Sequence, residues 1–135
     1  MSKHLSRHRL AAFQRQNGHC YYCNCPMWIE DVSAFAHMHL LTIKQAKQLA
    51  CTAEHLKAVH DGGSDTAKNI VAACRFCNDQ RHRRKVAPSP ELHRMRVKAR
   101  IALRHWHGLA WRFGTPSSVV MVSRSADLLL GKAVG

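Results

Sequence analysis

The stretch Cys51 to Asn78, CTAEHLKAVHDGGSDTAKNIVAACRFCN, decides the fold. Cys51 to Leu56 is predicted as a strand, and Ile70 to Ala73 is a second short apolar segment. Between them Val59 to Lys68 reads as loop, marked by Asp61-Gly62-Gly63-Ser64-Asp65. Cys74-Arg75-Phe76-Cys77 follows at once, and a helix is expected from Asn78 to Lys85. The order is strand, turn-rich loop, short apolar segment, thiol pair, helix.

On the N-terminal side lies a matching pair, Cys20-Tyr21-Tyr22-Cys23. Each CxxC sets two sulfurs on one tight turn, along one edge of a tetrahedron with bonds of about 2.3 Å. Cys20, Cys23, Cys74 and Cys77 together make a closed four-sulfur site for a structural zinc. The rival readings are a redox CxxC or two unrelated thiol pairs, and the pairing of two knuckles favours zinc. Cys25 and Cys51 are left over. Cys25 is an alternative ligand by its nearness to Cys23, and Cys51 reads as a small buried hydrophobe.

Further out, His4 to Gln16 is predicted helical, capped by Ser6 and stopped at Gly18. Cys25-Pro26-Met27-Trp28 reads as loop or short strand. Ser33 to Ala50 reads as helix, with Thr42 capping its second half. Pro88-Ser89-Pro90 breaks the chain. Beyond it Glu91 to His107 is expected as a helix ended by Gly108, with Leu92, Met95, Ala99, Ala102, Leu103 and Trp106 on its apolar face. These signals divide the chain into a unit carrying both thiol pairs at 1–87, a basic helix at 88–114 and a tail at 115–135. The tail is a strand, a partner contact or disorder.

The 135 residues carry 21 Lys plus Arg against 8 Asp plus Glu, a net charge of +13. That balance points to a polyanionic partner. From Arg75 to Arg112 the only acids are Asp79 and Glu91. Arg81, Arg83, Arg84, Lys85, Arg94, Arg96, Lys98 and Arg100 are the expected nucleic-acid contacts, with DNA preferred over RNA or an acidic protein. No signal peptide and no membrane span of about 20 apolar residues is visible, so a cytoplasmic protein without a membrane partner is expected.

Taken in order, the Cys pair, Glu54-His55, Gly62-Gly63, Asn69 before Ile70-Val71, and the second Cys pair followed by Asn78 resemble the HNH endonuclease family with flanking zinc knuckles. The resemblance spans about Leu10 to Lys85. It implies a small α+β, zinc-stapled ββα-metal domain of treble-clef-like form with helical extensions, and metal-dependent hydrolysis of phosphodiester bonds. His55 would be the general base. Glu54 and Asn78 would hold a catalytic Mg²⁺ or Mn²⁺, and Asn69 would brace the loop behind His55. Glu54 replaces the more frequent Asp or His, and Asn78 replaces His.

His82, one helical turn after Asn78, is a candidate third ligand that would shift preference to a softer transition ion. The two-ligand oxygen shell is favoured. His37, His39 and His60 fall outside the motif. Adjacent strand side chains point to opposite faces, so Glu54 and His55 need a kink or bulge to share one site. One such site cuts one strand; a double-strand break needs a homodimer or two visits. The alternative from another class is a non-catalytic zinc-containing module that only binds nucleic acid.

Overall fold

A computed structural model describes residues 1–113. The tail expected at 115–135 lies outside these residues. β1 (Cys51–His55) and β2 (Ile70–Cys74) form a two-stranded antiparallel sheet in which Cys51 pairs with Cys74, Glu54 with Val71 and His55 with Ile70. The register runs through all five pairs without a bulge.

Helix α1 (Lys3–Arg15) packs on both strands. Its C-terminal neighbour Gln16 completes the free edge of β2. The Gln16 amide donates to the Ala72 carbonyl at 2.8 Å and accepts from the Ala72 N–H at 2.9 Å, as a third strand would. The N-cap is Ser2, whose hydroxyl accepts from Leu5 N–H at 3.1 Å. Ser6, the expected cap, sits inside the first turns.

The region expected as one helix from Ser33 is two, α2 (Val32–His39) and α3 (Ile43–Gln48). Leu40 takes a left-handed conformation between them, and Thr42 forms a capping box with Gln45. Helix α4 (Arg75–Arg81) begins three residues before the expected Asn78 and ends before Lys85. Its N-cap is a knuckle sulfur: Cys74 Sγ accepts from Cys77 N–H at 3.4 Å. The thiol pair therefore opens the helix rather than preceding it.

Helix α5 (Pro90–Ala102) corrects two expectations. Its buried face is His93, Val97 and Ile101, spaced four residues apart, whereas Leu92, Met95 and Leu103 are exposed. Apolar character alone does not mark this stripe, because one of its three residues is a histidine. The helix also stops five residues before His107. Arg104 turns left-handed, and His105 N–H closes on the Arg100 carbonyl at 2.8 Å. That turn sends Trp106 and His107 back toward the cysteines. Val97, Ile101 and Leu109 join Ala12, Tyr22 and Leu49 in one hydrophobic core.

Candidate functional site

Cys20, Cys23, Cys74 and Cys77 are all buried, and their sulfurs lie within 4.8 Å of one another. Cys23 Sγ and Cys74 Sγ are 3.9 Å apart. A zinc tetrahedron with bonds of about 2.3 Å has edges of about 3.8 Å, so the sulfurs fit that ion. Backbone N–H groups of Tyr22 and Cys74 point at Cys20 Sγ from 3.4 and 3.3 Å. Burial drives the Cys74 and Cys77 thiols well above their ordinary range, while hydrogen bonds from neighbouring sulfurs pull Cys23 well below it. Four thiols so crowded ionise together only around a cation. The cluster can hold a structural metal such as zinc.

Cys25 is held protonated, first by its hydrogen bond to Cys23 and then by burial. It serves Cys23 as a donor. Cys51 is buried too, its thiol pushed up to about 12 by desolvation.

Two side chains that the sequence left unassigned to this centre seal it from the C-terminal side. Trp106 Nε1–H donates to Cys77 Sγ at 3.2 Å, and His107 Nε2 lies 3.4 Å from Cys23 Sγ. Phe76 meets both rings edge-on at 5.1 Å. Such donors spread the excess negative charge of a four-thiolate site. Trp106→Phe keeps the packing and removes the N–H. Zinc transfer to a chromogenic chelator is expected to be severalfold faster in that variant, and an unchanged rate would assign Trp106 to packing alone.

The residues expected to do chemistry divide between the two faces of β1. Because β1 has no bulge, Glu54 and His55 leave it on opposite faces. Glu54 is 1% exposed and faces α4. Its Oε1 lies 2.8 Å from His82 Nε2 and 3.4 Å from Arg81 Nη1. Its Oε2 is buried with no hydrogen-bond partner among the described residues. Burial first, and the Glu54 charge second, push the Tyr22 phenol far above its ordinary value. Asn78, also on α4, donates from Nδ2 to Thr52 Oγ1 at 3.0 Å. Thr52 shares the Glu54 face of β1. Glu54, Asn78 and His82 are thus gathered by one strand face and one helix.

His55 is placed apart from them. Its Nε2 is 2.6 Å from Asp65 Oδ1. Asp65 is a neighbour of His55 that the motif did not name; its only sequence signal is a carboxylate in the turn-rich loop. That loop is tightly built. Asn69 Oδ1 accepts from Lys57 N–H at 2.8 Å, and Asn69 Nδ2 donates to the carbonyls of Lys57 and Ser64 at 3.0 and 2.9 Å. A Cβ on Gly63 would collide with the Lys57 carbonyl oxygen. Gly62 takes φ +89°.

Arg81 differs from the other basic residues. It is 3% exposed, and its guanidinium donates to the carbonyls of His55 at 2.8 Å, Leu56 at 2.7 Å and Pro88 at 3.1 Å. It ties α4 to the end of β1 rather than reaching solvent. Arg83, Arg84, Lys85, Arg94, Arg96, Lys98 and Arg100 are exposed. Arg94 also stacks over the Tyr21 ring, 4.8 Å from its centroid. His93, under this surface, is buried and lowered to about 4, chiefly by desolvation, so it stays neutral. No helix among the described residues is long and apolar enough to cross a membrane.

No curated protein and no solved structure is significantly similar to the chain. Residues 42–84 match the family model described as HNH endonuclease. The matched span contains α3, β1, the Asn69-braced loop, β2 and α4, together with the second knuckle of the four-cysteine cluster. Over that span, about a third of the chain, the protein is similar to the HNH endonuclease family.

Proposed function

We propose that the chain hydrolyses phosphodiester bonds of nucleic acid, DNA before RNA, with His55 as general base. The observation that carries this reading is the 2.6 Å contact between His55 and Asp65 inside the span that matches an endonuclease family. A carboxylate on one imidazole nitrogen fixes the tautomer, leaving the other nitrogen to take a proton from the attacking water. Asn69 supports the pair by holding the loop that carries Asp65.

Glu54, Asn78 and His82 are the residues that would hold a catalytic divalent ion. Glu54 Oε2 is buried without a hydrogen bond of ordinary geometry, beside the Tyr22 phenol, and can offer a lone pair to a cation. The Glu54–His82 separation of 2.8 Å is close to the roughly 3.0 Å between neighbouring ligands with bonds of about 2.1 Å. This proximity supports the three-donor shell over the two-ligand shell that the sequence favours. When bound, such an ion would supply positive charge at the leaving oxygen; because β1 has no bulge, it would lie on the face opposite the His55 ring, so base and ion act on one phosphate only if the end of β1 kinks on binding. Arg81 Nη1, 3.4 Å from Glu54 Oε1, helps to order that carboxylate, and Thr52 orients Asn78.

The Glu54–Arg81–His82 cluster also suits a second reading, a purely structural ion network in a zinc-containing nucleic-acid-binding module without catalysis. Supercoiled plasmid separates the two. Nicking is expected with Mg²⁺ or Mn²⁺ and not without an added ion; intact plasmid in every ion would leave only the binding module. Asp65→Asn is expected to slow nicking about 10- to 100-fold with folding unchanged, the usual cost of losing a carboxylate behind a working histidine. Equal rates would detach Asp65 from the chemistry.

Binding should be electrostatic. The log–log slope of affinity against salt is expected to be about −0.9 for each duplex phosphate neutralised. Replacing Arg94, Arg96, Lys98 and Arg100 together with Gln is expected to flatten that slope. A slope that stays as steep would place the nucleic acid on another face.

A further inference from the structure

Between the end of α4 and the face of α5 opens a cavity of about 390 Å³. Arg83, Arg84, Arg96, Arg100, Pro88 and Trp106 are among its lining residues, and no carboxylate lines it. None of its four exposed arginines forms a salt bridge among the described residues. Arg96 and Arg100 are one helical turn apart on α5, and Arg83 and Arg84 face them from the segment after α4. Guanidinium groups gathered without acids are a phosphate-binding arrangement. The size adds to this. A lone phosphate would leave most of the space unfilled, and a volume near the lower end of small-molecule sites, about 300–1,000 Å³, is that of one compact ligand.

Trp106 supplies an aromatic surface held by its N–H bond to Cys77 Sγ and its edge contact with Phe76; the Arg100 guanidinium lies 5.9 Å from its ring centroid, so an entering base would share the ring with Arg100 or displace it toward the phosphate. Arg81 lines the same cavity and lies 3.4 Å from Glu54, so one side chain separates the cavity from the Glu54–Asn78–His82 cluster.

We propose that this cavity receives one unpaired nucleotide of the nucleic acid, its phosphate on the arginines and its base or sugar against Trp106. The inference rests on the nucleic-acid reading above and narrows it. A base inside a continuous duplex enters such a cavity only after unpairing and unstacking, a cost that is least where the base is already single-stranded. Stacking on a fixed aromatic ring is tolerant of sequence, so the cavity selects the form of the substrate rather than its bases. Ends, overhangs and branch points then become the favoured targets, held one arginine side chain away from the cluster.

The test is fluorescence anisotropy with the full chain in buffer without added divalent ion. The probes are a blunt duplex, the same duplex with a short single-stranded extension, and a free deoxynucleoside monophosphate. The extended duplex is expected to bind about tenfold tighter than the blunt one. Arg96→Gln with Arg100→Gln is expected to bring that ratio near one; both residues are exposed, and because Arg100 also lies 5.9 Å over the Trp106 ring, unchanged zinc content and thermal unfolding are required of the variant. Equal affinities for the two duplexes in the native chain would overturn the proposal and leave the nuclease reading standing. A ratio that survives the double substitution would also overturn it. A free monophosphate bound as tightly as the extended duplex would replace it with a free-nucleotide site. Binding of neither duplex would overturn both readings.

Discussion

Cys74→Ser is expected to lose zinc and to unfold the protein at ordinary temperature. Cys74 serves three structural purposes at one position. It ends β2, its sulfur caps α4, and that same sulfur is one corner of the four-cysteine cluster. It is fully buried, so the serine hydroxyl would gain no water in exchange. A structural zinc contributes on the order of 10–16 kcal/mol of apparent folding free energy, whereas a small domain has a net stability of about 5–15 kcal/mol. Loss of the ion therefore removes as much as the whole fold retains. A strong chelator is expected to do the same to the native chain. Cys51→Ala and Cys25→Ala are the contrasting cases. Cys51 is outside the cluster and should cost about 1 kcal/mol, the scale of one small buried group, with zinc retained. Cys25 donates to Cys23 rather than occupying a corner, and its replacement should also leave one zinc per chain. Metal analysis and thermal unfolding of the purified variants check all three. Full zinc and unchanged stability in Cys74→Ser would point instead to Cys23, Cys25 and His107, which also lie within ligand distance of one another.

The contrast between what was legible in the sequence and what was not has physical causes. The knuckles could be located because two CxxC pairs in one chain have few other uses, and β1 because a short apolar run preceded a Gly-Gly turn; its pairing with the second run was implied only by the resemblance. The α5 face was not legible. Its buried residues include His93, whose ring packs edge-on against Tyr22 and whose Nε2 meets the Cys77 carbonyl at 3.1 Å. No hydrophobic periodicity marks a histidine satisfied in that way. The early stop of α5 was hidden for a related reason: Trp106 and His107 gain more by reaching the sulfurs than by extending the helix, and that gain exists only once the knuckles have assembled. At the candidate site, order along the chain brought Glu54, Asn78 and His82 to notice. The Asp65–His55 pair depends on how the Asn69-braced loop folds back, which spacing does not encode.

His55→Ala is expected to slow plasmid nicking by about 10²–10⁴-fold, the usual contribution of a positioned general base. The effect should be confined to the chemical step. The His55 backbone, not its ring, carries the structural bonds: its carbonyl accepts from Arg81 at 2.8 Å, and its pairing with Ile70 closes the sheet. The imidazole is partly exposed, and its hydrogen bond is to Asp65, itself half open to water. Removing the ring therefore leaves no buried polar group stranded, and folding and zinc content should match the native chain. The basic surface of α5 lies on another element, so affinity for DNA should also hold. Single-turnover nicking rates, metal content and anisotropy titrations on the same preparation separate these terms. A rate within about threefold of native would remove His55 as the base. It would turn attention to the Glu54–His82 face of β1, where a metal-bound water could be deprotonated without an imidazole on the loop side.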